Sequence, residues 1–252
     1  MRKVISILFI SLTFGIYAQE KGAIGVEFNS NYNLVKTVEF DNYMDDALLN
    51  LPNNQTLISR NRIKQGIDFG LNLSYQISNL FGIGIYSKYL TSKARNETQV
   101  IIGGTMGEPL DTLKGARIFH LTNTIIGIYS DFSINKLPFW SSTNILSRFE
   151  AKIALGVGYS FSKFIAASTT NLLNGLDGEV NPVSGIHLMG NLKIGYRLAK
   201  NKVFSSIGLQ IGYQMLMTRK LRGDQLLTFK KDKTPNLNFY GLTTGIYLTF
   251  GK

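Results

Sequence analysis

The sequence contains no cysteine. Disulfides, thiol chemistry and a lipid-bearing cysteine behind a leader are thereby excluded. Histidine is nearly as scarce, with His120 and His187 the two in the chain. No H-E-x-x-H zinc motif, no G-x-S-x-G elbow and no phosphate loop occurs, so no catalytic residue, cofactor site or metal site is expected. The run Gly103-Gly104-Thr105-Met106-Gly107 is rich in glycine but falls in a connection and reads as a flexible loop tip. Long apolar runs are missing beyond the first residues. No later stretch reaches the ~18 uninterrupted apolar residues of a membrane-spanning helix. Acidic residues are in deficit, 16 against 27 Lys and Arg, for a net charge of +11. A basic balance can mark a nucleic-acid binder. No stretch pairs a basic face with a nucleic-acid motif, so no nucleic-acid partner is expected and the excess is assigned to a charged interior and charged loops.

The N-terminus is read separately. Arg2 and Lys3 precede an apolar core from Val4 to Ile16, and Ala18 offers a small residue for cleavage. This pattern predicts a secretory signal peptide over 1–19, leaving 20–252 as one domain, with charge 11 − 2 = +9 once Arg2 and Lys3 go.

The remaining sequence is dominated by a period of two. From Ile67 to Ile77 every odd residue is large and apolar, and every even residue between them is small or polar. That alternation marks a strand with two unlike faces. The run is long against the ~5–6 residues of a soluble strand, and it meets the ~9–11 residues needed to cross a bilayer at a tilt. The pattern recurs. Ile24, Val26 and Phe28 start strand one. Phe81, Ile83 and Ile85 oppose Gly82, Gly84, Tyr86 and Lys88. Phe149 to Phe161 oppose Arg148, Glu150, Lys152 and Ser160. Ile186 to Leu198 oppose His187, Asn191, Lys193 and Arg197. Val203 to Met215 oppose Ser206, Gln210 and Gln214, and Tyr240 to Phe250 close the series. One strand, Ile118 to Ser133, is irregular: Phe119 and Leu121 are odd, while Ile126, Ile128 and Phe132 are even. A β-bulge near Asn123 to Ile125 would account for the flip.

Eight strands result. Their connections run long (34–60), short (78–79), long (93–116), medium (around Asn135, Pro138 and Trp140), long (163–184), short (201–202) and long (219–235). An even count with alternating loop length predicts an all-β, eight-stranded, antiparallel, up-and-down transmembrane β-barrel. A secreted lipocalin-like barrel, apolar inside, is the competing architecture. Tyr75, Tyr159, Tyr196, Tyr213 and Tyr240 fall on outward faces, where tyrosine suits the headgroup zone.

This pattern resembles the small outer-membrane barrels of the OmpA-barrel and OmpX type, and more closely the PorT-like barrels. The likeness spans about Gly22 to Lys252 and rests on strand pattern and the near-terminal aromatic Phe250, which is followed by Gly251 and Lys252. It implies a place in the bacterial outer membrane, among lipid and lipopolysaccharide. It does not imply an activity.

The face away from lipid carries Glu27, Asp68 and Glu150 with Lys64, Lys88, Arg148, Lys152, Lys193 and Arg197. Buried charges need partners, and an eight-stranded barrel is just wide enough for side chains to fill it. A charge network plugging the lumen is expected. The alternative is a narrow pore for small solutes with a slight anion preference. A lipid-modifying hydrolase built on His120, with a hydroxyl from Thr122, Thr124 or Ser130 and the carboxylate of Asp131, is the other alternative. The preferred expectation is a monomeric, non-enzymatic envelope barrel with an envelope-protein partner or lipopolysaccharide at its loops. Arg219, Lys220, Arg222, Lys230, Lys231 and Lys233 would face lipopolysaccharide, or pair with Glu39, Asp41, Asp45 and Asp46 of the first loop.

Overall fold

The computed structural model describes residues 22–37, 39–42, 55–59, 61–78, 80–102, 111–134, 148–168, 179–198, 204–219 and 236–250. The strands are β1 (Ile24–Leu34), β2 (Gln55–Leu57), β3 (Gln65–Gln76), β4 (Phe81–Ile102), β5 (Asp111–Ser133), β6 (Phe149–Ser168), β7 (Glu179–Arg197), β8 (Phe204–Thr218) and β9 (Phe239–Phe250). Every pairing is antiparallel, in the order β4-β3-β1-β9-β8-β7-β6-β5, and β5 returns to β4. Eight strands therefore close into a barrel, with short β2 added to the upper edge of β4. Closure removes every edge within the barrel wall, which is the condition for a sheet to stand in lipid. The leader predicted over 1–19 and the connections around 103–107, 135–140 and 201–202 lie outside the described residues.

Alternation along each strand dictates the two faces. Ile67, Phe69, Tyr75, Ile83, Ile85, Ile126, Ile128, Leu155, Val157, Ile186, Ile194, Leu209, Ile211, Leu242 and Ile246 are all exposed on the outside. Asp68, Asn72, Lys88, Glu150, His187, Lys193 and Gln210 are buried inside. A soluble barrel would bury the first set and expose the second. The lipocalin-like alternative is thus contradicted.

Three expectations need correction. The strands run further than the sequence pattern suggested: β4 extends through Lys93 to Ile102, β5 starts at Asp111, and β6 and β7 take up most of 163–184. On β4 the outward residues from Phe81 to Tyr89 are apolar except Ser87, spanning the ~9–11 residues a bilayer requires. Above them come Lys93, Arg95 and Glu97, all exposed. The strand continues, but its outer face has entered water and the apolar signal stops. The bulge expected near Asn123 is absent, because β5 keeps one register with β4 and with β6 throughout. Phe119, Leu121 and Ile125 point inward instead. A register shift does occur, between Phe204 and Ser206 of β8. The first connection, read as polar loop, contains β2 and a helical turn over Glu39–Asn42 that carries Phe40 into the barrel mouth.

Candidate functional site

The lumen has two levels. In the lower level, towards the 77–80 turn, polar side chains dominate. Glu150 of β6 accepts hydrogen bonds from the Ser206 hydroxyl of β8 (2.6 Å) and the Tyr247 hydroxyl of β9 (3.0 Å). Lys152 and Arg197 approach the same carboxylate at 3.8 and 4.0 Å. Glu27 of β1 accepts from the Lys193 ammonium of β7 at 2.5 Å and from the Asn72 amide of β3 at 2.7 Å. That ammonium also lies over the rings of Tyr129 and Tyr247, 5.9 and 5.7 Å from their centroids. Asp68 of β3 accepts from the amides of Asn31 (2.6 Å) and Asn33 (2.9 Å), with Lys88 of β4 at 3.9 Å.

Amides link these centres. Gln210 donates to Asn31, and Gln214 donates to Asn33 at 2.6 Å. The His187 imidazole lies 2.9 Å from the Tyr86 hydroxyl and 3.3 Å from the Gln214 carbonyl oxygen. The Gln214 carbonyl can only accept, so Nε2 donates to it, while the tyrosine hydroxyl can serve Nδ1 in either sense. The wall makes room for these rings with glycine. A Cβ on Gly158 would stand 2.5 Å from the Tyr86 hydroxyl, and one on Gly84 would stand 2.6 Å from the Tyr129 ring.

The upper level is built around an apolar cluster, with Ser92, Asn96 and Asn123 buried beside it. Phe40, Leu90, Phe119, Leu121, Phe164, Leu216, Leu237 and Phe239 form one buried cluster with Val35, Ile63, Ala94 and Val183. Phe40 meets Phe164 edge-on, centroids 4.7 Å apart, and Phe164 stacks on Phe119 at 5.9 Å. The turn bearing Phe40 is fixed by Thr37, whose hydroxyl donates to Asp41 at 2.9 Å.

The expected charge set is partly redrawn. Glu27, Asp68, Lys88, Glu150, Lys152, Lys193 and Arg197 do share the lumen. Arg148 does not: it precedes β6, is exposed, and donates to the Tyr196 hydroxyl at 3.1 Å. Lys64 precedes β3 and is exposed. Asp131 was missed, and it is buried in the lumen diagonal to Lys152. Its odd parity, shared with Tyr129 and Ser133, would have placed it there without the supposed bulge. The described inward side chains thus balance four carboxylates (Glu27, Asp68, Asp131, Glu150) against four cations (Lys88, Lys152, Lys193, Arg197). Asn31 and Asn33 were missed because strand one was read from Ile24, Val26 and Phe28 alone.

His120 is half-buried on the outer wall, its Nε2 2.8 Å from the Thr91 hydroxyl. Asp131 points inward near the opposite end of β5 and cannot serve it. Arg219 is exposed, its backbone N–H donating to Ser184. Lys220, Arg222, Lys230, Lys231 and Lys233 lie outside the described residues, as do Asp45 and Asp46. Of the acidic loop set, Glu39 accepts from the backbone N–H of Asn236 (3.4 Å), and Asp41 is buried against Thr37.

A closed barrel with an apolar outside and a polar, self-paired inside is a transmembrane β-barrel of the outer-membrane class. Its place is the outer membrane. No family model matches the chain, and no curated protein matches it. The chain is similar to the solved structure of Neisserial surface protein A, with a TM-score of 0.47 at 11% identity over 92% of this chain and 100% of that one. It is similar to the outer membrane protein OprG from Pseudomonas aeruginosa, at 0.45 and 13% over 94% and 100%. It is also similar to Ail, the attachment invasion locus protein of Yersinia pestis, solved with the heparin analogue sucrose octasulfate, at 0.38 and 12% over 91% and 99%. These likenesses concern the fold alone, and the class rests on closure, register and the apolar belt. The likeness to PorT-like barrels rests on strand pattern alone.

Proposed function

We propose that this protein is a non-conducting, non-enzymatic envelope barrel, monomeric, that works through the surfaces it presents at its loop end. The observation that carries this reading is the filled lumen. Each of the four lumen cations has a carboxylate within 4.0 Å, and the apolar cluster around Phe40 closes the column above them. A solute path needs water or mobile side chains along its length; this lumen offers packed side chains, each of its four cations beside a carboxylate. The barrel wall completes its backbone pairing within one chain, which supports a monomer. The loop end is left as the working surface, for an envelope-protein partner or for lipopolysaccharide at Arg219, Lys220, Arg222, Lys230, Lys231 and Lys233. The test is electrical. Refolded protein in planar bilayers should show no steady conductance, whereas stable ohmic steps would replace this reading with the narrow channel. Charge reversal of the six cations should reduce lipopolysaccharide carried through purification.

A further inference from the structure

We infer that the outer wall just above the apolar belt holds a binding site for the phosphate of a lipid headgroup, built from Lys93 of β4, His120 of β5 and Lys163 of β6. The inference deepens the proposed lipopolysaccharide contact and rests on it for which leaflet the loop end meets.

The register assembles the site. Lys93 is the direct cross-strand partner of His120, with Cβ atoms about 4.5–5.5 Å apart for such a pair. Lys163 is the direct partner of Thr122, which puts it diagonal to His120, roughly 7–8 Å away. All three residues stand on the outward face, the two lysines exposed and the histidine half-buried. The Thr91 hydroxyl fixes the imidazole at 2.8 Å. These residues sit on rigid, doubly paired strands, not on loops.

The position selects the ligand. On β5 the apolar outer face ends at Ile126 and is followed by Thr124, Thr122 and His120; on β6 it ends at Phe161, followed by Lys163. The lysines therefore project at headgroup height, where cations flanking a membrane-spanning segment attract anionic lipid. Among the described side chains of this stretch of wall, the one carboxylate is Glu97, which already pairs with Arg95 at 3.8 Å. Burial and the neighbouring Lys93 charge hold the His120 imidazole below its ordinary pKa. A phosphate between the lysines would offset that repulsion and raise it.

The experiment uses the full chain in micelles of an uncharged maltoside detergent, which carries no phosphate, with the His120 ring followed by NMR. The buried His187 ring serves as internal reference. Adding phosphorylated lipid A should shift the His120 signals and raise its titration midpoint. Lys93→Gln with Lys163→Gln should weaken binding about 30-fold, at about 1 kcal/mol for each cation near a charged surface. Lys114→Gln, an equal charge loss further along β5, should leave binding unchanged. Dephosphorylated lipid A binding equally well would overturn the site. So would an equal loss in Lys114→Gln, or an equal shift produced by inorganic phosphate at the same concentration. A conducting barrel would overturn the filled-lumen reading and leave this result standing.

Discussion

Below Lys88 and Gln214 the lumen is held by ion pairs and amide ladders; above Leu90 and Leu216 it is held by aromatic packing. The outer face changes at nearly the same height, from Ile83, Ile85 and Tyr89 to Lys93, Arg95 and Glu97 on β4. The lower barrel is therefore apolar outside and mainly polar inside, whereas on β4 the upper wall is charged outside and packs against the apolar cluster inside. One set of continuous strands follows two rules because its surroundings change from hydrocarbon to water. In lipid the outer face must be apolar, and the polar groups retreat inward. In water the hydrophobic effect reclaims the interior.

The largest expected effect breaks the lower level. Glu150→Ala leaves Lys152 and Arg197 without their carboxylate and removes the acceptor of Ser206 and Tyr247. Loss of one partner from a buried pair costs roughly 3–5 kcal/mol, read as a shift in reversible unfolding in micelles. Phe164→Ala probes the upper level. It removes the ring between Phe40 and Phe119 and should cost about 3 kcal/mol through a cavity. The two variants should part in quality: added apolar ligand should rescue the second and leave the first unchanged.

Gly158→Ala sharpens the comparison at the wall itself. The new methyl meets the Tyr86 hydroxyl, and overpacking of this kind costs about 1–3 kcal/mol. The smallest effect belongs to Arg148→Ala. The residue lies outside the lumen against Tyr196, and the unfolding midpoint should not move. A large loss there would put Arg148 back among the lumen charges.

The lower level was legible in the sequence because it obeys a single period with strong contrast. Ile67 to Ile77 against Asp68 to Gln76 gave the faces of β3 correctly, and His187, Lys193 and Arg197 followed from the same parity on β7. The upper level was hidden by its inversion. Phe119 and Leu121, with Ile125 below them opposite Lys88, are inward apolar residues on a strand whose lower outward residues, Ile126 and Ile128, are also apolar. Read together they imitate a phase flip, although the backbone register never breaks. Phe40 carried no local signal, because its burial depends on where a helical turn lands relative to Phe164, across the barrel. The pairing of Glu27 with Lys193, 166 positions apart, depends likewise on closure and not on any neighbouring residue.

The absence of native cysteine permits a direct test of the filled lumen. Single substitutions Ser206→Cys in the lower level, Leu216→Cys in the upper level and Lys93→Cys on the outer wall can each be exposed to a small charged thiol reagent in the folded, membrane-embedded protein. Lys93→Cys should label rapidly. Ser206→Cys and Leu216→Cys should stay unlabelled until the barrel is unfolded. Labelling of both lumen positions as fast as the outer one, in protein that still migrates as a folded barrel, would contradict a lumen closed by its own side chains.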